Sequence, residues 1–424
     1  MRAAKSAHFN RVLFAIAAVC LLSFKIIIVP IGSGATGIRI DDFLILIAFF
    51  ILLYRGDLLS TPRSQAFKLY LLFVAVNLLS TLWNSAIGRV NPLLSLVFDV
   101  RLLQYMLFYF LGYALRKAGK SFTGLFVAYC LVMCAVIPLQ LSGLTPDVSL
   151  FAASRASGNT NGPYEFAAVA GFLLCYLGYK ERKLFYGFAS IVFVVLTASR
   201  VTLLGVVVSL FRVLFRVARR SVASAAIAAF SSVAAVLLLA GVYMVSSTNA
   251  NGDVMSRISS TSSTVTWSEI QAVYATAPIA ENYKDYAQGA FSSACAYGAC
   301  DPDRGDPSTL IRLYRWSTLI RSVNSNLSSI LIGLGPSFGT EAVDGYYVRL
   351  YAETGLTGLV VFFIAVWGLW RAGRGDNWPF REYVVILLFT ACFIDIFASY
   401  KPMLLLWLWH GSNQYKLDNQ TVDA

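Results

Sequence analysis

The sequence predicts an all-α polytopic membrane protein, and three observations predict it. Hydrophobic residues make up 58% of the 424 residues, while Asp, Glu, Lys and Arg make up only 13%. The mean hydropathy is +0.66, whereas a soluble domain carries roughly twice that share of charge. The apolar residues fall in runs long enough to cross a bilayer, separated by short polar breaks. An outer-membrane barrel would instead alternate apolar and polar residues in short segments. Backbone N–H and C=O groups have no water to pair with in hydrocarbon, so helices are the spanning form expected here.

In chain order the apolar runs lie near 11–30, 41–54, 67–84, 92–115, 122–142, 163–179, 184–199, 201–217, 222–245, 353–371, 382–399 and 401–412. About 11–12 transmembrane helices are therefore expected, the last run being short enough for a half-helix or a re-entrant segment. The first run follows Arg2, Lys5 and Arg11 with no small-residue cleavage site after it, so it is expected as a retained helix with a cytoplasmic N-terminus. Three regions follow: membrane spans one to nine over 1–245, a periplasmic loop with amphipathic helices over 246–352, and the last two or three spans with a short polar tail over 353–424.

The net charge of +12 does not point to nucleic acid, because the charges sit in loops between spans. Alternate loops are basic: Arg55, Arg63 and Lys68; Arg116, Lys117 and Lys120; Lys180, Arg182 and Lys183; Arg212, Arg216, Arg219 and Arg220; Arg371, Arg374 and Arg381. The positive-inside rule assigns these loops to the cytoplasm and the long segment to the other face. That orientation suits a bacterial inner membrane with the loop in the periplasm.

The long segment is rich in Ser, Thr, Asn, Tyr and Asp. From Thr309 to Ser329 its pattern predicts an amphipathic helix, with Leu310, Leu313, Trp316, Leu319 and Ile320 on one side. Gly333, Gly335 and Gly339 then break it. Cys295 and Cys300 lie in this segment as Cys-Ala-Tyr-Gly-Ala-Cys. A disulfide is the first reading in an oxidising compartment, since a four-residue gap containing Gly can close one. Neither His8 nor His410 is near, so no zinc site is expected and no metal or other cofactor is assigned.

Chemistry on the loop side must come from arginine and a few acids, because no metalloprotease, P-loop or nucleophile-elbow motif is present. Arg200 interrupts two apolar runs, and a charge at that depth is by default a functional-site residue; the plain alternative is a loop Arg reaching for water. Arg155 lies in the turn before the 163–179 run and Glu165 at the start of that run, where an acid also serves as a helix-end charge. Arg312 and Arg315 open the amphipathic helix, where an anion can bind, or else line a solvated face; Arg257 is a weaker member of the same set. Asp344 is an external carboxylate beside a Gly-rich turn and could take a proton from a sugar hydroxyl; the alternative is a cap or an ion pair with Arg349. Tyr347 could stack on a sugar or mark the membrane interface. Asp41 and Asp42 form an acidic pair read more readily as a helix cap than as a catalytic motif.

Four stretches carry a family resemblance: RASGNTNGPYEFAAVAGF, LTASRVTLLGVVVSL, RLYRWSTLI followed by ILIGLGPSFG, and DGYYVRLYAETGLTGLVVFF. In this order, with about twelve spans and one long loop, they resemble the O-antigen polymerase and ligase superfamily over most of the chain. The resemblance implies transfer of a glycan from undecaprenyl pyrophosphate at the periplasmic face. It implies Arg200 and Arg312 as catalytic groups on the pyrophosphate, Asp344 as the base, and Arg155, Arg257, Arg315, Glu165 and Tyr347 as substrate contacts. Ligases of the superfamily carry a His where this chain has Asp344, which favours a polymerase that builds O-antigen, capsule or exopolysaccharide. The alternatives are an O-antigen ligase or protein O-glycosyltransferase with the same donor, and a flippase or transporter of lipid-linked sugars. A flippase and a chain-length regulator are the partners the resemblance implies, along with membrane lipid.

Overall fold

The structure, a computed structural model, describes residues 2–24, 27–31, 36–144, 155–218, 266–295, 307–339 and 343–422. The described part is helical apart from one short hairpin. Helix α1 (Arg2–Leu22) ends well before residue 30. The rest of the expected first span holds strand β1 (Ile27–Ile31), antiparallel to β2 (Thr36–Arg39). Ile27, Ile28 and Val29 are β-branched, and Pro30 both lacks an N–H and disfavours helix in the residue before it.

Helix α2 (Ile40–Tyr54) begins with Asp41 and Asp42, and Asp42 Oδ2 accepts the Arg39 amide at 2.8 Å. This is the cap geometry expected of an acid at a helix start. A short α3 (Asp57–Ser60) leads to α4 (Gln65–Ala86), whose cap Ser64 accepts from Phe67 N. Next come α5 (Pro92–Lys117), capped by Asn91 with Pro at its first turn, and α6 (Thr123–Leu141). Helix α7 (Pro163–Leu173) continues into a π-helical turn, Leu174–Lys180, and is followed by α8 (Leu184–Leu196) and α9 (Arg200–Ala218). The expected span 222–245 lies outside the described residues, as does Arg257.

The polar segment contributes α10 (Trp267–Thr276), α11 (Tyr283–Ala294), α12 (Pro307–Val323) and α13 (Leu327–Ile332). The single helix expected over 309–329 is thus two. The chain turns at Asn324–Asn326, and Asn326 caps α13 by accepting Ser329 N at 2.8 Å, a role Asn fills better than a helix interior. The chain closes with α14 (Tyr346–Ala372), α15 (Trp378–Ala391) and α16 (Tyr400–Val422). The last apolar run, short enough for a half-helix or a re-entrant segment, is part of a continuous 23-residue helix. Its Trp407 and Trp409 are fully buried.

Helices α4, α5, α6 and α14 are each long and apolar enough to cross a membrane. Leu79 and Leu82 on α4 and Val360, Ile364 and Trp367 on α14 face outward. Such broad apolar exposure is natural where the solvent is lipid. The chain is an α-helical membrane protein on these grounds.

Small residues bring the inner helices together. A Cβ at Gly112 of α5 would run into the Leu408 carbonyl of α16, and one at Gly411 would run into the Tyr109 carbonyl. This reciprocal contact is the close backbone approach that glycine permits in membrane bundles. Phe67, Tyr70 and Tyr109 then surround Trp407 with ring centroids 4.9–6.4 Å away. The polar segment has separate small cores. One gathers Tyr286, Leu319, Val323, Leu334, Phe338 and Val343, the other Val273, Ala277, Leu310 and Tyr314.

Candidate functional site

Helix α12 and the turn before α14 meet at Asp344. Arg312 and Trp316 are four residues apart on α12 and so share a face. The Trp316 indole N–H donates to the Val343 carbonyl at 2.9 Å, and Arg312 Nε lies 3.3 Å from Asp344 Oδ2. Asp344 adopts φ 55°, a left-handed conformation that Asp tolerates better than most residues. A Cβ at Gly345 would crowd the Trp316 ring at 2.9 Å, so glycine lets the indole close over the turn. The pair remains partly open, with side-chain exposures of 24% for Arg312 and 34% for Asp344. Burial pushes the Asp344 carboxyl above its ordinary value; Arg312 pulls it down, Asp395 pushes it up and Arg315 pulls it down again.

Arg155 approaches from the membrane helices. Its Nε donates to the Thr197 carbonyl at 2.9 Å and its Nη1 to the Tyr164 hydroxyl at 3.2 Å. The guanidinium also lies 4.5 Å from the Tyr164 ring centroid. Arg155, Arg312 and Asp344 all act electrostatically on the Tyr164 phenol. Arg155 Nη2 reaches the Ala198 carbonyl at 3.4 Å, and Ala198 itself turns through φ 50°. Two residues later an exposed Arg200 opens α9. Arg155 therefore braces the turn that presents Arg200.

A buried ion cluster lies beneath Asp344. Arg349 Nε is 3.1 Å from Glu353 Oε2, and Arg349 Nη1 is 2.9 Å from Asp395 Oδ2. Asp395 Oδ2 also accepts the Val343 amide at 3.3 Å, and Glu353 Oε1 accepts the Ser337 amide at 3.1 Å. One arginine thus fixes both the turn carrying Asp344 and the Gly-rich loop. Arg349 serves these two acids rather than pairing with Asp344. The loop lies against α14, with Leu334 N donating to Ala352 O at 2.7 Å and Gly335 N to Glu353 O at 3.0 Å. Gly333 (φ 85°) and Gly355 (φ 66°) make this approach feasible, since a side chain at either would meet the opposing backbone.

The remaining expected contacts are distributed as follows. Arg315 acts on Asp344 from the same helix. Both Glu165 oxygens accept backbone amides, from Asn161 at 3.0 Å and from Lys401 at 3.2 Å. They join the Asn-rich turn to the start of α16. The Tyr347 hydroxyl donates to Leu388 O at 2.8 Å and its ring stacks on Phe363 at 5.6 Å. Cys295 is disulfide-bonded, and Cys300 lies outside the described residues. No group of three or more His, Cys, Asp or Glu is disposed to hold a metal among the described residues.

Sequence reasoning passed over Tyr164 and Asp395. Asp395 carried a readable signal, an acid inside an apolar run, which is costly unless paired. The run breaks there: α15 ends at Ala391 and a 3-10 turn spans Ile396–Ala398. Tyr164 closes the Asn- and Gly-rich stretch that begins near Arg155, but only the fold sets its ring against the Arg155 guanidinium. Together these residues offer a carboxylate able to accept a proton beside guanidiniums able to hold an oxyanion. In comparisons with known proteins, the chain matches no family model and no curated sequence.

Proposed function

We propose that this protein is a polysaccharide polymerase of a bacterial inner membrane. It would extend glycans on undecaprenyl pyrophosphate at the periplasmic face, without a metal or other cofactor. The observation that carries this reading is the partly open Arg312–Asp344 pair. The family resemblance of the surrounding stretches supports it.

In the proposed step an acceptor sugar hydroxyl attacks the donor's anomeric carbon. A C–O bond forms as the bond to the lipid pyrophosphate breaks. Asp344 takes the hydroxyl proton, and the pyrophosphate leaves with the bonding electron pair. Arg312 and Arg200 stabilise the charge that grows on it, as preorganised cations do at a developing oxyanion. Arg suits this role because its planar fork can donate to two phosphate oxygens at once.

The test is the lipid-linked product profile of a deletion strain complemented with wild-type, D344N, R200A or R312A protein at matched expression. The polymerase reading expects single repeats to accumulate in the deletion and in D344N. Unligated polymer in the deletion strain would instead identify a ligase. Normal polymer length and yield in both arginine variants would overturn the pyrophosphate clamp.

A further inference from the structure

We propose that Trp316 is a positioning residue: its indole, with Asp395 opposite, clamps the Val343–Gly345 turn so that Asp344 meets Arg312. The kinetic consequences rest on the proposed transfer reaction; the clamp itself does not.

Both polar groups of the Val343 backbone are taken by side chains from distant parts of the chain. The carbonyl accepts the Trp316 indole N–H of α12 at 2.9 Å, and the amide donates to Asp395 Oδ2, in the turn between α15 and α16, at 3.3 Å. Val343 is fully buried, so neither group has water as a substitute partner. The carbonyl belongs to the peptide unit that enters Asp344. Holding that planar unit fixes one of the planes about which the Asp344 φ of 55° is measured.

Gly345 records the same constraint from the other side. Its φ of 176° is extended backbone that any residue adopts. Yet a Cβ there would lie 2.9 Å from both Cζ2 and Nε1 of Trp316. The indole, not the backbone, is what calls for glycine at 345. Ring and turn are thus matched to each other.

The indole is itself held. Phe393, in the break after α15, lies against it with ring centroids 5.8 Å apart. Arg312 stands one turn earlier on the same face of α12. The helix that fixes the turn therefore also carries the ion partner of Asp344, and a shift of one against the other changes their 3.3 Å separation. The charged groups acting on Asp344 are Arg312 and Arg315 of α12 and Asp395 across the turn. If Trp316 were only a packing residue, its replacement would lower stability and leave the proton affinity of Asp344 as it was.

The experiment uses the purified full-length protein in a neutral detergent, with two readouts. The first needs no activity. Fluorotryptophan-labelled protein is titrated through the acid range by fluorine NMR, the Trp316 resonance being identified by its loss in W316F. The clamp expects this resonance to titrate in wild type, to stop titrating in D344N and to be displaced in G345A. A resonance indifferent to both substitutions would overturn the proposal. The second readout is the rate on lipid-linked repeats extracted from the deletion strain. W316F keeps a ring but loses the N–H; it should lower kcat about tenfold or more, with KM within about threefold, because a small misplacement of a reacting group is costly. Its acid limb should move to higher pH, the direction expected when Arg312 no longer holds Asp344. G345A leaves Trp316 in place and should act likewise, which keeps the test open should W316F fail to fold. Combining the two should add little, since the smaller phenyl no longer meets the new Cβ. An unshifted limb in W316F and G345A, or strictly additive losses, would overturn the proposal. If wild type makes no polymer while the fluorine titration behaves as expected, the transfer reading fails and the clamp stands.

Discussion

Arg312 Nε lies 3.3 Å from the Oδ2 of Asp344, a carboxylate on a left-handed residue, with Asp395 pushing its proton affinity up from below. The carboxyl is thereby raised from its ordinary value by burial, the largest influence, and held back mainly by Arg312. If Asp344 is the base, the acid limb of the transfer rate should lie above the ordinary aspartate value of about 3.9. R312Q removes the main downward influence and should move that limb to higher pH. D395N removes an upward one and should move it lower. Rate profiles of the three proteins on a lipid-linked donor check both directions, and coincident limbs would remove Asp344 from the proton step.

The same raised carboxyl makes a stability prediction of opposite sense to the activity loss. Its folded-state value exceeds the unfolded one, so its contribution is fully present at low pH and lost as pH rises through the folded value. D344N should therefore unfold no earlier than wild type at pH 8, while chain growth falls by about 10²-fold or more. Thermal unfolding in detergent, read beside product length, separates this outcome from simple misfolding.

Arg349 carries two buried carboxylates, and removing it should be far worse than removing either one. R349M leaves Glu353 and Asp395 facing each other without a counter-charge, and the cost of breaking a buried pair this way is about 3–5 kcal/mol. E353Q keeps the Ser337 amide supplied with an acceptor and should be milder. Chemical unfolding of both variants provides the check; equal losses would mean that the cluster is wetter than its burial implies.

Gly355 should tolerate no side chain. Its φ of 66° lies where L residues are strained, and an added Cβ would meet the Leu331 carbonyl and Gly333 N. Strain of this kind costs about 1–3 kcal/mol before the steric clash is added. Because the Gly-rich loop leans on this point, G355A is expected to lower both the unfolding temperature and activity. Unchanged thermal unfolding would show that the loop can shift without loss.

Much of this architecture could be read from residue patterns, and the misses have physical causes. The apolar runs marked the helices, since hydrocarbon-facing segments must close their own hydrogen bonds. Pro30 and the β-branched residues before it were the warning that the first run would not stay helical. Asn324 and Asn326 were the warning that 309–329 would break. Arg155, Arg312 and Asp344 were each noticeable as polar residues beside apolar runs. That Arg155 closes on the Tyr164 ring was not legible, because it depends on how the turn before α7 folds back on itself. Nor could spacing tell that Asp344 pairs with Arg312 and leaves Arg349 to Glu353 and Asp395. All of these charges lie within reach of one another, and only the geometry of the turn decides between them.

Arg155 provides the sharpest test of whether the membrane-side arginines act as one unit. Its guanidinium holds the Thr197 and Ala198 carbonyls and the Tyr164 hydroxyl at the same time. A lysine keeps the charge but is a point donor and cannot span these three acceptors. R155K should therefore release the turn before Arg200 and cost activity about 10-fold or more, nearly as much as R155A. If charge alone mattered, R155K would retain most of the wild-type rate. A double-mutant cycle with R200A completes the test: residues acting through one another give losses that do not add. Strictly additive losses would show that Arg155 contributes on its own and that the turn does not transmit its effect to Arg200.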